Sequence, residues 1–310
     1  MKVSIIIVNF NTSGLTETCI NSINFFEKEI EKEIIIVDNN SDDNSKKTLK
    51  LLSENHKNIK CIFLDSNKGY AYANNRGVEI CSGDFVLILN PDIVFTRNVL
   101  RELIEYLKEE DIGAVGVKLY GEDEKFQKKY YCKYPKILQY ILFYSIFSKP
   151  FLNSHKLIEK YIEADIKENC SELQKVPQIP GAFIFMKRCV YNELNGFNES
   201  YFLFFEDVDL CYRIAKNYKL YIADSGVVHI GASSMMMDTN YKIYGYFIIS
   251  FINFFRQNSS TSKYYLIKSL VFVNSYLKIF LENIKRVFNK CRPDIIRVHK
   301  FILDNYNSQR

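Results

Sequence analysis

The sequence predicts an α/β protein, a doubly wound and mostly parallel sheet followed by a helical appendage. Two observations carry this. Short apolar runs recur through residues 1–120, each hydrophobic almost without a break, as strands buried on both faces must be. Between them lie segments with helical spacing, and strand–helix alternation of this kind builds parallel sheets. Composition agrees: a chain of 310 residues that is 47% hydrophobic can bury a sizeable core and is not of the disordered class.

Taken in order, VSIIIV (3–8), EIIIV (33–37), CIFL (61–64), FVLIL (85–89) and AVGV (114–117) read as strands. The stretches 15–26, 42–54, 70–81 and 96–108 read as the helices between them. In such sheets ligands bind beyond the carboxyl ends of the strands. The polar residues there are Asn9 and Asn11, Asp38 to Ser41, Asp65 to Asn67, and Asn90 to Asp92, so four strand ends meet at one rim. Residues 120–176, Lys- and Tyr-rich with an apolar run YILFYSIF (140–147), read as a variable insertion over the site. Order returns with a strand in IPGAFIFMKR (179–188), the acidic cluster FFEDVDLCYR (204–213) and LYIADSGVVHIGASS (220–234). From 240 onward helical spacing dominates. Tyr276, Leu277, Phe280, Leu281, Ile284, Val287 and Phe288 share one face, with Lys278, Lys285, Arg286 and Lys290 opposite.

The net charge of +5 is unevenly spread, since residues 241–310 hold 12 Lys+Arg against 3 Asp+Glu. A basic, aromatic, helical tail suits an anionic membrane surface, packing on the catalytic domain, or a homodimer contact. Nucleic acid is not indicated, for want of any recognisable motif. A spanning helix needs roughly 18 apolar residues, and IYGYFIISFINFF (243–255) is shorter and contains Asn253. The eight cysteines are scattered with no CxxC pair, which suggests free thiols in a reducing compartment. With no secretory segment at Met1, the expectation is a cytoplasmic protein, placed peripherally at the inner face of the cytoplasmic membrane if the tail binds lipid.

Two acidic features describe the chemistry. LILNPD (87–92) puts a carboxylate at the end of a buried strand, where it can hold a metal-bound diphosphate. The cluster at 204–213 can supply a general base. Together they suit removal of a group from a nucleotide diphosphate. A nucleotidyltransferase would usually show a Gly-rich, Arg/Lys-bearing phosphate loop after the first strand, and NFNTSGLTET is not one.

The motifs SIIIVNFNT, VDNNSDD, NKGYAYANNRGV, LILNPD, PGAFIFMKR, GFNESYFLFFEDVDLCYR and VVHIGASS follow one another here as they do in family 2 glycosyltransferases. They look most like the rhamnosyltransferase-type branch that builds bacterial surface polysaccharides. The resemblance covers roughly residues 1–235. It implies a GT-A fold with a Rossmann-like nucleotide-sugar-binding half (1–120) and an acceptor and catalytic half (121–235), leaving 236–310 as a basic, aromatic-rich helical region. It also implies an inverting mechanism, a nucleotide-sugar donor, a glycan acceptor often carried on a polyprenyl lipid, and Mg²⁺ or Mn²⁺.

Carried over residue by residue, the resemblance assigns Val8, Asn9 and Asn11 to the base-contacting loop, with turn capping as the alternative for the two asparagines. Asp38 reads the ribose or base, or else shapes its own Asp-Asn-Asn-Ser turn. Gly69, with Ala71 and Ala73, lets a helix start approach a phosphate, or serves close packing; Asn67 and Asn74 are the polar contacts. Where many relatives have Asp-x-Asp, this chain has Asn90-Pro91-Asp92, a substitution the rhamnosyltransferase-type branch tolerates. Asp92 then takes the metal, and Asn90 the ribose or metal shell. His229 matches a second metal ligand, with a purely structural histidine as the alternative. Asp207 matches the base, kept ionised by a helix N-terminus. Glu206 orients the acceptor or braces the loop, and Asp209 pairs with Arg213. Gly181 lets the acceptor sugar lie close to the backbone.

The resulting expectation is an inverting, metal-dependent transferase moving rhamnose from dTDP-rhamnose to a glycan. Its rivals are the same fold with a UDP- or GDP-sugar donor, and a non-catalytic nucleotide- or glycan-binding partner of a transferase.

Overall fold

The structure is a computed structural model that describes residues 1–231, 241–288 and 290–306. Positions 232–234 of the VVHIGASS motif and the opening 236–240 of the C-terminal region lie outside the described residues. The chain divides into two compact units, Met1–Cys132 with Ala164–Glu199 and Glu206–Ser234, and Lys133–Glu163 with Ser200–Phe205 and Met235–Arg310.

The first unit opens with β1 (Val3–Asn9), α1 (Ser13–Phe26), β2 (Lys32–Asp38), α2 (Ser45–Asn55), β3 (Ile59–Phe63), α3 (Tyr70–Glu79) and β4 (Phe85–Leu89). Every residue of β1 and β4 is buried, which is why both read as unbroken apolar runs. After β4 come β5 (Ile93–Val94), α4 (Leu100–Tyr106) and β6 (Ile112–Tyr120). The expected helix over 96–108 is cut to α4 because Glu27 receives the Val99 and Leu100 N–H groups at 2.7 and 3.1 Å. That start is set by a side chain 72 residues away, which periodicity cannot show.

Helices α5 (Ile137–Phe143) and α6 (His155–Tyr161) belong to the second unit. The first resumes with β7 (Gln174–Lys175), β8 (Phe183–Lys187), α7 (Arg188–Glu193), α8 (Glu206–Ile214) and β9 (Lys219–His229). The sheet runs β3-β2-β1-β4-β8-β6-β9-β5, with β7 also on β9. Strands β1 to β4, β6 and β9 point one way and β5, β7 and β8 the other, so the sheet is mixed but mostly parallel. The register sets Asn9 beside Asp38, and Ile93 beside His229. These two pairings bring sequence-distant polar residues to a common edge.

In the second unit α9 (Tyr241–Asn258), α10 (Thr261–Val287) and α11 (Pro293–Tyr306) pack on one another. Gly245 of α9 is where Phe301 of α11 comes closest; an added Cβ would stand 2.4 Å from its ring. Phe205, Tyr140 and Tyr144 pack tilted or edge-on around Phe251 of α9 with centroids 5.7 to 6.0 Å apart. The 243–255 run is therefore core, and no described helix is long and apolar enough to cross a membrane. The apolar face of α10 is another matter: Tyr276, Phe280, Val287 and Phe288 are all more than 60% exposed. The eight cysteines form no disulfide with one another.

Candidate active site

The rim is built from the loops after β1, β2, β3 and β4. Asn9 and Asp38 are fully buried at its base. Asn9 Nδ2 donates to Asp38 Oδ1 at 2.8 Å, and Thr12 and Thr16 donate to Asn9 Oδ1. The Ser41 N–H and hydroxyl also donate to Asp38. Both residues are thus hubs that tie the first two loops together, and Asp38 shapes its own turn. Asn11 extends the link, exchanging two hydrogen bonds with Asp42. Its φ of +57° suits asparagine, which tolerates the left-handed region.

Asn39, which sequence reasoning missed, joins the second loop to the third by donating to Asn67 Oδ1 at 3.0 Å and Gly69 O at 3.3 Å. Gly69, at φ +95°, turns the chain into α3. Ala71 and Ala73 are enclosed, which is their packing role. Asn74 is also fully enclosed, because α3 turns positions 74, 77 and 78 toward the core, so the structure does not present it to the rim as a polar contact. Val8 is buried in β1.

Asp92 and His229 come together through the β5–β9 pairing. Nε2 of His229 lies 3.6 Å from Asp92 Oδ2, with both side chains 4% exposed. Gln127, another residue missed in a stretch without readable pattern, fixes the histidine: its Nε2 donates to His229 O at 2.9 Å, so its Oε1, 2.8 Å from Nδ1, must accept. Nε2 then carries a lone pair toward a carboxylate whose Oδ1 finds no hydrogen-bond partner among the described residues. Burial lowers the His229 pKa, which favours this neutral form. Two buried acceptors facing each other without a shared proton make half of a cation site. Among the described residues no group of three or more His, Cys, Asp or Glu could hold a metal ion by itself.

Tyr70, unpredicted, connects this edge to the acidic cluster. Its hydroxyl lies 3.0 Å from Asn90 Oδ1 and 3.4 Å from Gly181 O. Burial, and then the charges of Glu206, Asp207 and Asp92, push its pKa up, so all three acids bear on one hydroxyl. Gly181 N–H donates to Asp207 Oδ2 at 2.8 Å, and a Cβ at 181 would stand 2.7 Å from that oxygen. Glycine is required there by the Asp207 carboxylate.

Helix α8 begins at Glu206, after Phe204 and Phe205, both in the left-handed region at φ +66° and +67°. Non-glycine residues there cost of order 1–3 kcal/mol each, a strain typical of functional sites. The helix start is not the only influence on Asp207. Burial outweighs its hydrogen bonds to Val208 and Gly181 N–H and raises its pKa. Glu206, 7% exposed, is pushed to about 8 by burial and then by the Asp207 charge, and its Oε2 has no partner among the described residues. Asp209 pairs with Arg213 at 2.8 Å. Arg213 also donates to Leu194 O and Gly196 O, pinning α8 to the loop after α7.

Known proteins are similar to this chain. An uncharacterized glycosyltransferase of Nostoc sp. is 35% identical over 116 residues, 37% of this chain and 35% of its own length. The rhamnosyltransferase WbbL of Escherichia coli is 22% identical over 213 residues, 59% of this chain and 76% of its own. This chain therefore spans about a third of the first relative and three quarters of the second. Among solved structures, the mannosyltransferase PcManGT of Pyrobaculum calidifontis, in complex with GDP-Man and Mn²⁺, superimposes with a TM-score of 0.55 at 14% identity, covering 97% of this chain and 84% of that one. That likeness shows the fold, which is GT-A. The model of glycosyl transferase family 2 matches residues 4–193, from β1 to the end of α7, and stops short of Glu206. A match over well over half of the chain makes this protein a glycosyltransferase of family 2.

Proposed function

We propose that this enzyme is an inverting glycosyltransferase that moves rhamnose from dTDP-rhamnose to a glycan acceptor in bacterial surface polysaccharide synthesis. The supporting observation is the bridge made by Tyr70, one hydroxyl within reach of both Asn90 and the backbone of Gly181. A diphosphate side, at Asn90 and Asp92, and an acidic side, at Glu206 and Asp207, thereby share one small space.

In this reading residues 1–120 take the donor and 121–235 the acceptor. Asn11, Asn67, Gly69 and the backbone after Val8 meet the nucleotide, while Asn9 and Asp38 hold those loops in place. Asp92 and His229 would hold Mg²⁺ or Mn²⁺, with the donor phosphates completing the shell, as suits a hard cation. Bound there, the cation would offset charge on the departing diphosphate. Asp207 takes the proton of an acceptor hydroxyl. The freed oxygen pair forms the new bond at the anomeric carbon, and the bond to the diphosphate breaks with its electrons leaving on the nucleotide. A base works best with a pKa near the working pH, and burial moves Asp207 in that direction. Glu206 orients the acceptor.

The similarity to WbbL favours rhamnose. The GDP-Man bound to the Pyrobaculum neighbour favours a second reading, the same chemistry with a GDP sugar. A thermal-shift and slow-hydrolysis panel with Mn²⁺ against dTDP-rhamnose, UDP-glucose, UDP-N-acetylglucosamine, UDP-galactofuranose and GDP-mannose decides. Selective stabilisation and turnover of dTDP-rhamnose is the expected result. Preference for another donor replaces the sugar and keeps the mechanism, and silence with folded protein removes the catalytic reading. The acceptor is proposed to be lipid-linked, at the inner face of the cytoplasmic membrane.

A further inference from the structure

Helix α10 encloses Ile267 and Val271 and still leaves a second apolar face turned outward. Its inward face carries polar groups, each with a partner inside the second unit. Asn274 donates to the Tyr140 hydroxyl at 2.9 Å and accepts the Ile146 N–H at 2.8 Å. Ser275 meets His299 Nδ1 at 3.0 Å, Lys278 donates to Tyr144 O at 3.2 Å, and Glu282 accepts from Lys285 and the Arg292 N–H. The outward face carries Val273, Tyr276, Phe280, Ile284, Val287 and Phe288, between 43% and 79% exposed. At 3.6 residues per turn these form a single stripe roughly 20 Å long. A polar inward face that is satisfied fixes which side turns out, so the exposed stripe is a property of the packing.

We propose that this stripe is a docking surface for an anionic lipid bilayer. Charge selects the occupant. Lys263 precedes the stripe, Lys290 and Arg292 follow its end, and Lys285 and Arg286 stand on the opposite side of the last turns; all five are exposed. Glu282 is the one acid of α10, and it is turned inward. A second copy laid on the stripe, parallel or antiparallel, would set these cations against cations. An anionic surface takes the cations at the two ends of the stripe, while the apolar side chains enter the boundary between headgroups and acyl chains. The proposal deepens the membrane placement given above and rests on that placement alone. Its readouts need no sugar transfer, so their failure and the failure of the transferase reading are separate results.

The protein contains no tryptophan, so Phe280→Trp places one reporter on the stripe, and Phe25→Trp, on the exposed side of α1, is its control. With vesicles of phosphatidylcholine and phosphatidylglycerol, the reporter at 280 should shift to the blue and the one at 25 should not. Full-length protein should float with these vesicles, at least tenfold less with pure phosphatidylcholine, and less again in 0.5 M salt. The double variant Phe280→Ser/Ile284→Ser should lose at least tenfold in vesicle binding with its thermal midpoint and donor hydrolysis retained. Equal flotation of wild type and variant overturns the proposal, as does an unshifted reporter. A wild-type dimer that the double variant dissociates, with no vesicle binding by either, assigns the stripe to a second copy and overturns it too.

Discussion

His229 Nε2 faces the Asp92 carboxylate across 3.6 Å, and Gln127 holds the other ring nitrogen at 2.8 Å. The amide orientation of Gln127 is fixed independently by its bond to the His229 carbonyl. The pair therefore sets an imidazole nitrogen and a carboxylate oxygen side by side, ligand types that a divalent cation takes.

Removing the carboxylate should be felt first in the donor complex. Asp92→Ala is expected to weaken Mn²⁺-dependent binding of the nucleoside diphosphate by tenfold or more, read by calorimetry, and to leave the weak metal-free binding as it was. Equal affinity of wild type and variant in the presence of Mn²⁺ would count against the ligand role.

The second partner of the histidine predicts a subtler effect. Gln127→Leu leaves both ligands in place but frees the ring to rotate and to change tautomer. Groups that orient a ligating histidine are typically worth about 10–100-fold in metal affinity. His229→Ala should cost at least as much. Mn²⁺ titration followed by electron paramagnetic resonance measures both without any sugar transfer. A variant that melts earlier and binds Mn²⁺ as tightly as wild type would assign both residues to stability alone.

These partners also mark what could be read in advance. The strands were legible because β1, β2 and β4 are buried on both faces along their middles, where the sequence runs IIIV, IIIV and FVLIL. Asp92, Glu206 and Asp207 were legible because acids beside long apolar runs need a reason. Gln127, Asn39 and Tyr70 were not. Each acts through hydrogen bonds to residues distant in sequence, and nothing local separates such a glutamine or tyrosine from a surface one. Which face of α10 turns outward was not legible, for a related reason. Periodicity shows that two faces differ, but which one turns inward depends on Tyr140, Tyr144 and His299 on other helices.

Gly181 offers a test of the base that leaves its chemistry intact. The Cβ of Gly181→Ala would meet Asp207 Oδ2 at 2.7 Å, so the carboxylate must move. Turnover is expected to fall by about tenfold or more while donor affinity stays within a factor of two or so, since a base must sit about 2.6–3.2 Å from the proton it takes. Asp207→Asn should cost about 10²–10⁴ in turnover with the same retention of donor binding. A wild-type rate in that asparagine variant would move the base elsewhere.

The neighbouring acid makes a prediction about pH. In the folded protein Glu206 holds its proton up to about pH 8, whereas the ordinary value is 4.5. Between those limits the folded state binds more protons than the unfolded state, so this residue lowers stability progressively as pH rises. A tenfold difference in proton affinity between the two states corresponds to about 1.4 kcal/mol. Glu206→Gln abolishes the titration while keeping the shape. The variant and wild type should therefore melt together near pH 4.5, and the variant should melt higher as pH approaches 9. The activity limb should also move. Asp207 is itself raised above 3.8, so wild-type turnover should climb with pH as the pair loses protons. With a neutral neighbour the climb should reduce to a single ionisation at Asp207. Parallel melting curves from pH 5 to 9 would mean that Glu206 is already ionised in the folded protein, and that its buried oxygen has found a partner.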